Sequence, residues 1–439
     1  MRPHVHRFSD GQVPLAVLAL ACAALTACDR TTGSGVVGVG DFPRLVAEED
    51  ARIGDMDDPD VGFSRIGGVD LDDEGNVYVV ESLLAEIRVY TPEGELLRRI
   101  GRRGEGPGEF QGPPRFGVMG DTVWAIDLQA NRITLFDRSG ALLSTGAIQP
   151  VMVPIPSGMG HVLPLRMRAD GLFTSHLLRV SFAQDAPAVD PTDSIPVPMV
   201  LFHANGTVAD TIGWAGRPPP RMWRPPAEQP SEPELVEVAG RRFFAPTPPT
   251  TLPSWLPLAD GYVLVETPLP TGIDDAAFSV TRIGLHGDTL YHRTFHYAPV
   301  RYTPEDLDSI AAWAARGDPR GMSIFVPGRP PPDDWEVIAV RLRAAMDFPE
   351  WRLPLDFPRL GADEGVWMRW TDQGSPETRT WLVLDPQGDP RGRLELPAGH
   401  DVRWSRGDTI WAVDTDDLGV PWLVRLRVRR DTGSLDNPE

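Results

Sequence analysis

Two segments of this sequence match each other at an offset of 46 residues, and this repeat constrains the fold more than any other feature. The first copy contains the runs Val77–Glu81 and Ile87–Tyr90, and the second contains Val123–Asp127 and Ile133–Phe136. Short strand-type runs separated by glycine turns at this period are typical of the blades of a β-propeller. We therefore expect an all-β fold. Because propellers support many unrelated activities, function has to be inferred from their sites.

Strand runs of the same kind continue along the chain and predict a six-bladed β-propeller. Blade one spans residues 63–101, blade two 110–148, and blade three begins near His161; the later blades contain the runs Tyr262–Val265, Val366–Met368 and Ile410–Val413. The Pro-rich segment 217–253 is interpreted as a loop or an edge, because proline cannot donate a hydrogen bond to a β-ladder. If this segment instead forms a blade, the number of blades rises.

One segment departs from the strand pattern and predicts a helical insertion between blades four and five, over residues 303–346. Thr303 is placed to cap a helix that has Pro304 in its first turn and ends near Gly317. A second amphipathic helix is expected over residues 333–346, with Val337, Ile338, Leu342 and Ala345 facing inward. We interpret the insertion as a cap over a blade edge; the alternative is a lid or a partner surface.

The N-terminal part of the body is predicted to close the ring. Ile53-Gly54 precedes Phe63 in the same way as Ile100-Gly101 precedes Phe110. Residues 43–54 therefore resemble the outer strand of a blade whose inner strands come from the C-terminal residues 402–428. An N-terminal strand that completes the last blade removes open sheet edges. We assign 43–430 to the propeller and 431–439 to a tail.

The first residues predict export and lipid anchoring. Arg2 and Arg7 precede the apolar run Val13–Leu25, which is too short to span a bilayer. The run ends in Leu25-Thr26-Ala27-Cys28, which resembles a bacterial lipobox, and this resemblance implies cleavage before a lipid-modified Cys28. Residues 1–27 are then a signal peptide and 28–42 a flexible tether; an ordinary secretory signal is the alternative. We expect a cell-envelope protein with a soluble periplasmic or extracellular body.

Composition narrows the possible partners. The formal net charge is −20, and all 42 basic residues are arginines. A body this acidic is a poor partner for nucleic acid and is repelled by anionic lipid headgroups, which leaves the acyl chains to hold the membrane. The absence of lysine excludes a Schiff base, a P-loop lysine and a Ser-Lys dyad. The only cysteine of the mature chain is the anchor, so no disulfide framework is expected.

The turn after blade one and the strands of blade two carry a family resemblance. Residues 101–110 contain Gly101, Gly104 and the run Gly106-Pro107-Gly108-Glu109-Phe110, and the strand Val123–Asp127 follows. With Asn131-Arg132-Ile133, this pattern resembles the NHL repeat, and the chain is similar to bacterial six-bladed β-propeller lipoproteins. The resemblance covers residues 60–145 and implies a fold and a binding role; it implies no particular enzyme activity.

Aligning the second strand of each blade gives one column of candidate functional residues. The residue that follows each strand core is, in order, Glu81, Asp127, His176, Glu266, Trp370 and Asp414. If these side chains converge around the propeller axis, Glu81, Asp127, Glu266 and Asp414 are candidate ligands for a hard divalent cation such as Ca²⁺. The alternative is structural, since an acidic residue here can accept hydrogen bonds from the following turn. His292 and His296 share a strand face without a third zinc ligand.

Two functions follow from these observations. The first is a non-catalytic binding or scaffold module that presents a propeller face to a protein, peptide or glycan. The alternative is a metal-dependent hydrolase or lyase resembling propeller lactonases, with the ion held by the acidic column. No residue is assigned as catalytic or as binding an organic cofactor, because no Gly-x-Ser-x-Gly motif is present and no Gly-x-Gly-x-x-Gly run lies between a predicted strand and a following helix.

Overall fold

The structure, a computed structural model, describes residues 37–55, 58, 61–155, 158–181, 195–217, 235–238, 241–244, 254–285, 287–316, 335–346, 348–371, 377–416 and 418–431. Residues 38–439 form one compact unit and residues 1–37 another. None of the helices in the described part of the chain combines the length and apolar character that a membrane span requires.

Strands make up most of the regular structure. Those of the first half are β1 Val37–Gly38, β2 Arg44–Ile53, β3 Ile66–Leu71, β4 Val77–Glu81, β5 Glu86–Tyr90, β6 Leu96–Ile100, β7 Arg115–Met119, β8 Thr122–Asp127, β9 Arg132–Asp137, β10 Leu142–Ala147, β11 Val151–Ile155, β12 Gly158–Met167, β13 Phe173–Ser181, β14 Ile195–Phe202 and β15 Val208–Arg217. Those of the second half are β16 Leu235–Val238, β17 Arg241–Phe244, β18 Ser254–Pro257, β19 Gly261–Glu266, β20 Ala277–Gly284, β21 Thr289–His296, β22 Leu355–Leu360, β23 Val366–Trp370, β24 Thr378–Leu384, β25 Pro390–Pro397, β26 Asp401–Arg406, β27 Thr409–Thr415 and β28 Pro421–Arg430.

These strands form sheets in a β-propeller arrangement. The orders are β3-β4-β5-β6, β10-β9-β8-β7, β11-β12-β13-β14-β15, β1-β21-β20-β19-β18 and β22-β23-β24-β25-β2-β28-β27-β26. From β2 onward, neighbouring strands in these sheets pair antiparallel, except where β2 meets β25 at Leu45 and Leu394. Consecutive strands in a sheet are neighbours because short turns join them, as the repeat predicts. The predicted all-β propeller is confirmed at this level.

The core lies between the faces of neighbouring sheets. Tyr78 and Ile87 of the first sheet pack with Val123 and Phe136 of the second in one buried cluster. Trp124 of the second sheet packs in the same way with Phe173 of the third. Because a sheet between two neighbours is buried on both faces, all five residues of β4 are buried rather than every second one.

The N-terminal strand β2 completes the last sheet, as the sequence predicts. It runs antiparallel to β28, with Leu45 opposite Arg430 and Ile53 opposite Leu423. Ile53 and Leu45 are almost fully buried by this pairing. The C-terminal strands therefore gain an outer neighbour from the other end of the chain, which satisfies backbone groups that an edge would leave open.

Two helices follow β21 in the chain, α1 Pro304–Ala315 and α2 Trp335–Ala345. Thr303 accepts a hydrogen bond from the Asp306 amide at 3.2 Å and forms a capping box with Asp306. Ala311 and Ala315 of α1 pack with Ile338 and Leu342 of α2. The predicted inward position of Val337 is wrong, because that side chain is half exposed on the opposite side of α2 from the cluster.

The Pro-rich segment 217–253 contains two short strands, β16 and β17, which pair with each other in an antiparallel two-stranded sheet. The interpretation of this segment as a loop or an edge did not locate these strands. The four-residue strands carry Leu235, Val236, Phe243 and Phe244, so apolar strand residues outweigh the surrounding prolines locally. Part of this segment lies outside the described residues.

Candidate functional site

The four candidate metal ligands lie at equivalent ends of strands. Glu81 ends β4, Asp127 ends β8, Glu266 ends β19, and Asp414 lies one residue before the end of β27. In the first sheet, Glu81 pairs with Ile66, the first residue of β3. The Glu81 carboxylate therefore lies at the end of the sheet where β3 begins.

Glu81 is fully buried and bound by backbone amides. Its carboxylate accepts hydrogen bonds from the Ser64 amide at 2.8 Å, the Arg65 amide at 3.2 Å and the Leu83 amide at 3.1 Å. Two of these donors precede β3 and one follows β4. The side chain thus connects the loop before β3 to the turn after β4. Its three hydrogen bonds from backbone amides stabilise the buried negative charge.

Asp127 repeats this arrangement in the second sheet. It is 1% exposed and accepts hydrogen bonds from the Gln111 amide at 2.7 Å, the Gln129 amide at 2.9 Å and the Ala130 amide at 3.1 Å. Gln111 again lies in the loop before the first strand, and Gln129 and Ala130 form the turn after the second. The 46-residue repeat therefore carries this pattern of hydrogen bonds as well as the strands.

The other two carboxylates have different partners. Glu266 accepts a hydrogen bond from the Ser279 hydroxyl at 3.3 Å, on the neighbouring strand. Asp414 forms an ion pair with Arg52 of the closing strand at 3.0 Å and lies 3.5 Å from Nδ1 of His400. All four side chains are therefore engaged within their own sheets.

Among the described residues, no group of three or more His, Cys, Asp or Glu side chains is arranged to hold a metal ion. The hydrogen bonds of Glu81 and Asp127 support the structural alternative for these two residues, and calcium binding by the column stays a prediction. His292 donates to or accepts from the Thr281 hydroxyl at 2.8 Å. Cys28 lies outside the described residues, as does the side chain of His176.

A cavity of about 320 Å³ lies where strands from all five large sheets meet. We call the six strands that line it the first strands, although β11 precedes β12 in the third sheet. Its walls come from β3, β7, β12, β18, β22 and β26, together with Trp124 of β8 and the turn after β22. Neighbouring first strands are in contact, as β3 is with β7 and β26, β7 with β12, and β18 with β22. The residues that line the cavity are Val69, Asp70, Phe116, Trp124, Leu165, Arg166, Leu256, Pro257, Leu360, Gly361, Ala362, Arg403 and Trp404.

β-Bulges place the charged side chains of this cavity. The pairing of β12 with β13 shifts between Pro164 and Arg166, so Leu165 has no partner, and both Leu165 and Arg166 reach the cavity. The pairing of β26 with β27 shifts between Val402 and Trp404, so Arg403 is the extra residue and lines the cavity beside Trp404. A regular strand would send neighbouring side chains to opposite faces, whereas a bulge redirects one of them.

Asp70 joins three sheets at the cavity wall. Its carboxylate accepts hydrogen bonds from the Val118 amide of β7 at 2.8 Å and from the Trp404 indole of β26 at 3.1 Å, as well as from the Leu71 amide. Burial raises the pKa of Asp70, and these donors and the nearby charge of Arg166 oppose the increase. Asp70 therefore fixes β3 against both neighbouring first strands.

Guanidinium groups dominate the remaining polar surface of the cavity. Arg403 forms an ion pair with Asp401 at 3.0 Å, and the other oxygen of Asp401 lies 3.0 Å from Arg359. Burial lowers the pKa of Arg359, although Asp401 opposes the change, and arginine remains charged at any physiological pH. Nε of Arg403 is buried and has no hydrogen-bond partner among the described residues. The described residues therefore leave this buried donor without an acceptor.

Aromatic rings cover the cavity on two sides. Trp404 and Phe116 lie in the walls, and Trp124 reaches the cavity across Gly117. A Cβ on Gly117 would lie 2.5 Å from the Trp124 ring, so only glycine lets the indole cross the strand at this point. An aromatic wall beside guanidinium groups suits a ligand with both a flat or apolar part and an anionic group.

The sequence comparison of second strands missed this site because the cavity is lined by first strands. Asp70, Arg166 and Arg403 occupy no common position in the repeat, and two of them depend on bulges that no residue pattern marked. Asp70 pairs with Tyr78 at the start of β4, whereas Glu81 pairs with Ile66, so the cavity lies toward the other end of the strands from the acidic column. The available signal was Arg166, which follows the apolar run of β12 without an acidic neighbour in that strand.

Comparison with known proteins gives distant structural likeness only. No protein-family model matches this sequence, and no curated protein matches it. A member of the DUF4221 family from Bacteroides vulgatus superposes with a TM-score of 0.42 at 10% identity, over 89% of this chain and 98% of that chain. Virginiamycin B lyase from Staphylococcus aureus gives a TM-score of 0.34 at 12% identity, over 87% and 99%. A PQQ-bound aldose sugar dehydrogenase from Streptomyces coelicolor gives 0.35 at 12% identity, over 88% and 98%.

Proposed function

We propose that this protein is an exported, lipid-anchored, six-bladed β-propeller that binds a ligand in its axial cavity without transforming it. The observation that carries the proposal is the cavity of about 320 Å³ whose walls come from β3, β7, β12, β18, β22 and β26. A pocket near the lower end of the usual size range, with apolar walls and a few converging polar groups, is the expected form of a small-ligand site.

The six-bladed assignment divides the eight-stranded sheet into two units. One unit is β22 to β25 and the other is β26 to β28 with β2, and β2 and β25 pair over only two residues. With the four other large sheets this makes six units, and the hydrogen bond from the Ala362 amide to the Ser405 carbonyl at 2.6 Å joins the last two at their inner edge. In this assignment α1 and α2 are an insertion between blades four and five.

Lipid anchoring rests on the lipobox at Leu25–Cys28 and belongs to the same proposal. We expect Cys28→Ser to move the protein from the detergent phase to the aqueous phase in a cloud-point partition, because two acyl signals are needed for stable anchoring and none would remain. The control is the same partition on wild-type protein. A variant that still enters the detergent phase would exclude Cys28 as the anchor.

The proposed binding role is tested by measuring whether a ligand raises the melting temperature of the protein. The partner that the proposal names is a protein, peptide or glycan, part of which enters the cavity from a propeller face. We expect at least one peptide or oligosaccharide from a chemically diverse set to raise the melting temperature of the wild type by mass action. Leu256→Trp, which fills the cavity from β18, should remove that increase. Mass spectrometry should recover the ligand unchanged, and recovery of a converted product would show an enzyme instead.

A further inference from the structure

We infer that the axial cavity takes a monoanionic carboxylate attached to an apolar body, with Arg166 and Arg403 as the groups that receive it. This inference names the ligand class of the proposed binding function and depends on that function. It is carried by the charge, the unused donors and the apolar walls of the cavity.

The charges around the cavity favour a single negative charge. The lining contains two guanidinium groups, of Arg166 and Arg403, and one carboxylate, of Asp70. Arg359 and Asp401 are not in the lining; they pair with each other and add one charge of each sign nearby. Even with both carboxylates ionised, one positive charge is in excess, although the chain as a whole carries −20. A cation would add to the excess, and a dianion would exceed it and meet the Asp70 carboxylate in the same wall.

The donors around the cavity are not all used by the protein. Nε of Arg403 is buried without a partner, and the guanidinium of Arg166 has no hydrogen bond or ion pair within the described part of the chain. Because the Arg166 guanidinium lines the cavity, a bound acceptor would gain hydrogen bonds from it that the described residues do not make. Guanidinium groups present parallel N–H donors that match the two oxygens of a carboxylate.

The walls select the rest of the ligand. Phe116, Trp404 and Leu256 lie in them, and Leu360 and Val69 add aliphatic surface. These side chains can cover an aromatic or branched apolar group but offer few partners to the hydroxyls of a sugar. A terminal carboxylate next to an apolar side chain, as at the end of a peptide, fits this surface better than a sugar acid does.

The experiment compares matched pairs of probes by isothermal titration with the full chain. N-acetylphenylalanine carries the expected carboxylate and apolar ring, and its amide is the neutral control. Glucuronate and glucose form the corresponding sugar pair, and phenyl phosphate tests a dianion. Each is titrated into wild type, Arg166→Gln, Arg166→Met and Arg65→Gln. Arg65 is exposed at the far end of the first sheet and serves as the matched control for loss of one positive charge.

We expect the dissociation constant of N-acetylphenylalanine to be lower than that of its amide by about 10-fold, the effect of one charged hydrogen bond. That advantage should disappear in Arg166→Gln and Arg166→Met and persist in Arg65→Gln. Equal affinity for acid and amide overturns the carboxylate inference but leaves cavity binding intact. Tighter binding of glucuronate or phenyl phosphate overturns the ligand class. Binding of no probe at about 10 mM overturns the cavity as the ligand site and the proposed function with it.

Discussion

The two ends of the inner strands use charged residues in opposite ways. At one end, Glu81 and Asp127 are buried, and backbone amides occupy their carboxylates. At the other end, Arg166 and Arg403 border a cavity and keep donors that the described residues do not use. The charges that repeat with the blades are bound by the backbone, whereas the non-repeating arginines line a cavity.

The sheet that β2 completes holds its carboxylate, Asp414, in a different way from Glu81 and Asp127. Among the described residues, no backbone amide donates to Asp414 as amides do to Glu81; Asp414 instead binds Arg52, which belongs to the closing strand β2. Closure of the ring and satisfaction of this carboxylate therefore depend on the same strand. The difference shows that the acidic position can keep its structural role while its partner changes.

Removal of the closing strand should have the largest effect. A chain that begins at Asp55 loses the buried Ile53 and Leu45, which are worth about 2–3 kcal/mol each, and exposes the backbone of β28. We expect thermal unfolding followed by circular dichroism to show a large loss of stability for the whole body. A chain that begins at Phe42 is the matched control. An unchanged midpoint for the shorter chain would show that the ring closes without β2.

The second effect tests the structural role of the acidic column directly. We expect Asp127→Asn to lower the free energy of unfolding by about 2–3 kcal/mol, because an amide nitrogen replaces an oxygen among three backbone donors. Denaturant unfolding with and without millimolar Ca²⁺ measures this. The loss should be the same in both conditions. If Ca²⁺ stabilises the wild type and not the variant, the column holds a metal ion and the comparison of the two ends fails.

A third, smaller effect is expected in the cavity wall. A methyl group on Gly117 would lie 2.5 Å from the Trp124 ring, so Gly117→Ala must displace the indole. We expect a loss of about 1–3 kcal/mol in the free energy of unfolding and weaker carboxylate binding. Gly40→Ala, where the added methyl meets open space, is the control. Normal stability and binding in Gly117→Ala would mean that the indole position does not shape the site.

The smallest expected effect is a pH dependence. Burial raises the pKa of Asp70, so the folded state holds this proton more tightly than the unfolded chain. The stability that Asp70 contributes is then fully present below its unfolded pKa of about 3.9 and is lost as pH rises through the folded value. Relative to Asp70→Asn, the wild type should therefore become less stable as pH increases from about 4 toward neutrality. Urea unfolding at a series of pH values measures this, and a difference that grows with pH contradicts it.

Much of the architecture could be predicted from the sequence because it depends on local patterns. The strands around Val77–Glu81 and Val123–Asp127, the capped helix at Thr303 and the outer strand 43–54 each follow from residue types at fixed spacing. The hairpin Leu235–Phe244 was missed because its short strands lie among prolines, which dominate a local interpretation.

The candidate site could not be predicted in the same way. The acidic column was visible because it repeats, yet Glu81 and Asp127 are used for backbone hydrogen bonds. Arg166 and Arg403 reach the cavity through shifts in strand pairing, and pairing depends on tertiary contacts that a single sequence does not display. Asp70 receives its donors from β7 and β26, which are 48 and 334 residues away in the chain.

The central claim is that one end of the strands holds the fold and the other binds the ligand, and two matched variants test it most directly. Denaturant unfolding and titration with N-acetylphenylalanine are carried out on Glu81→Gln and Arg166→Gln. We expect Glu81→Gln to lose about 2–4 kcal/mol of unfolding free energy with unchanged affinity, and Arg166→Gln to lose less than about 1 kcal/mol while its affinity falls about 10-fold. If Glu81→Gln weakens binding at unchanged stability, or Arg166→Gln unfolds the protein at unchanged affinity, the assignment of the two ends is wrong.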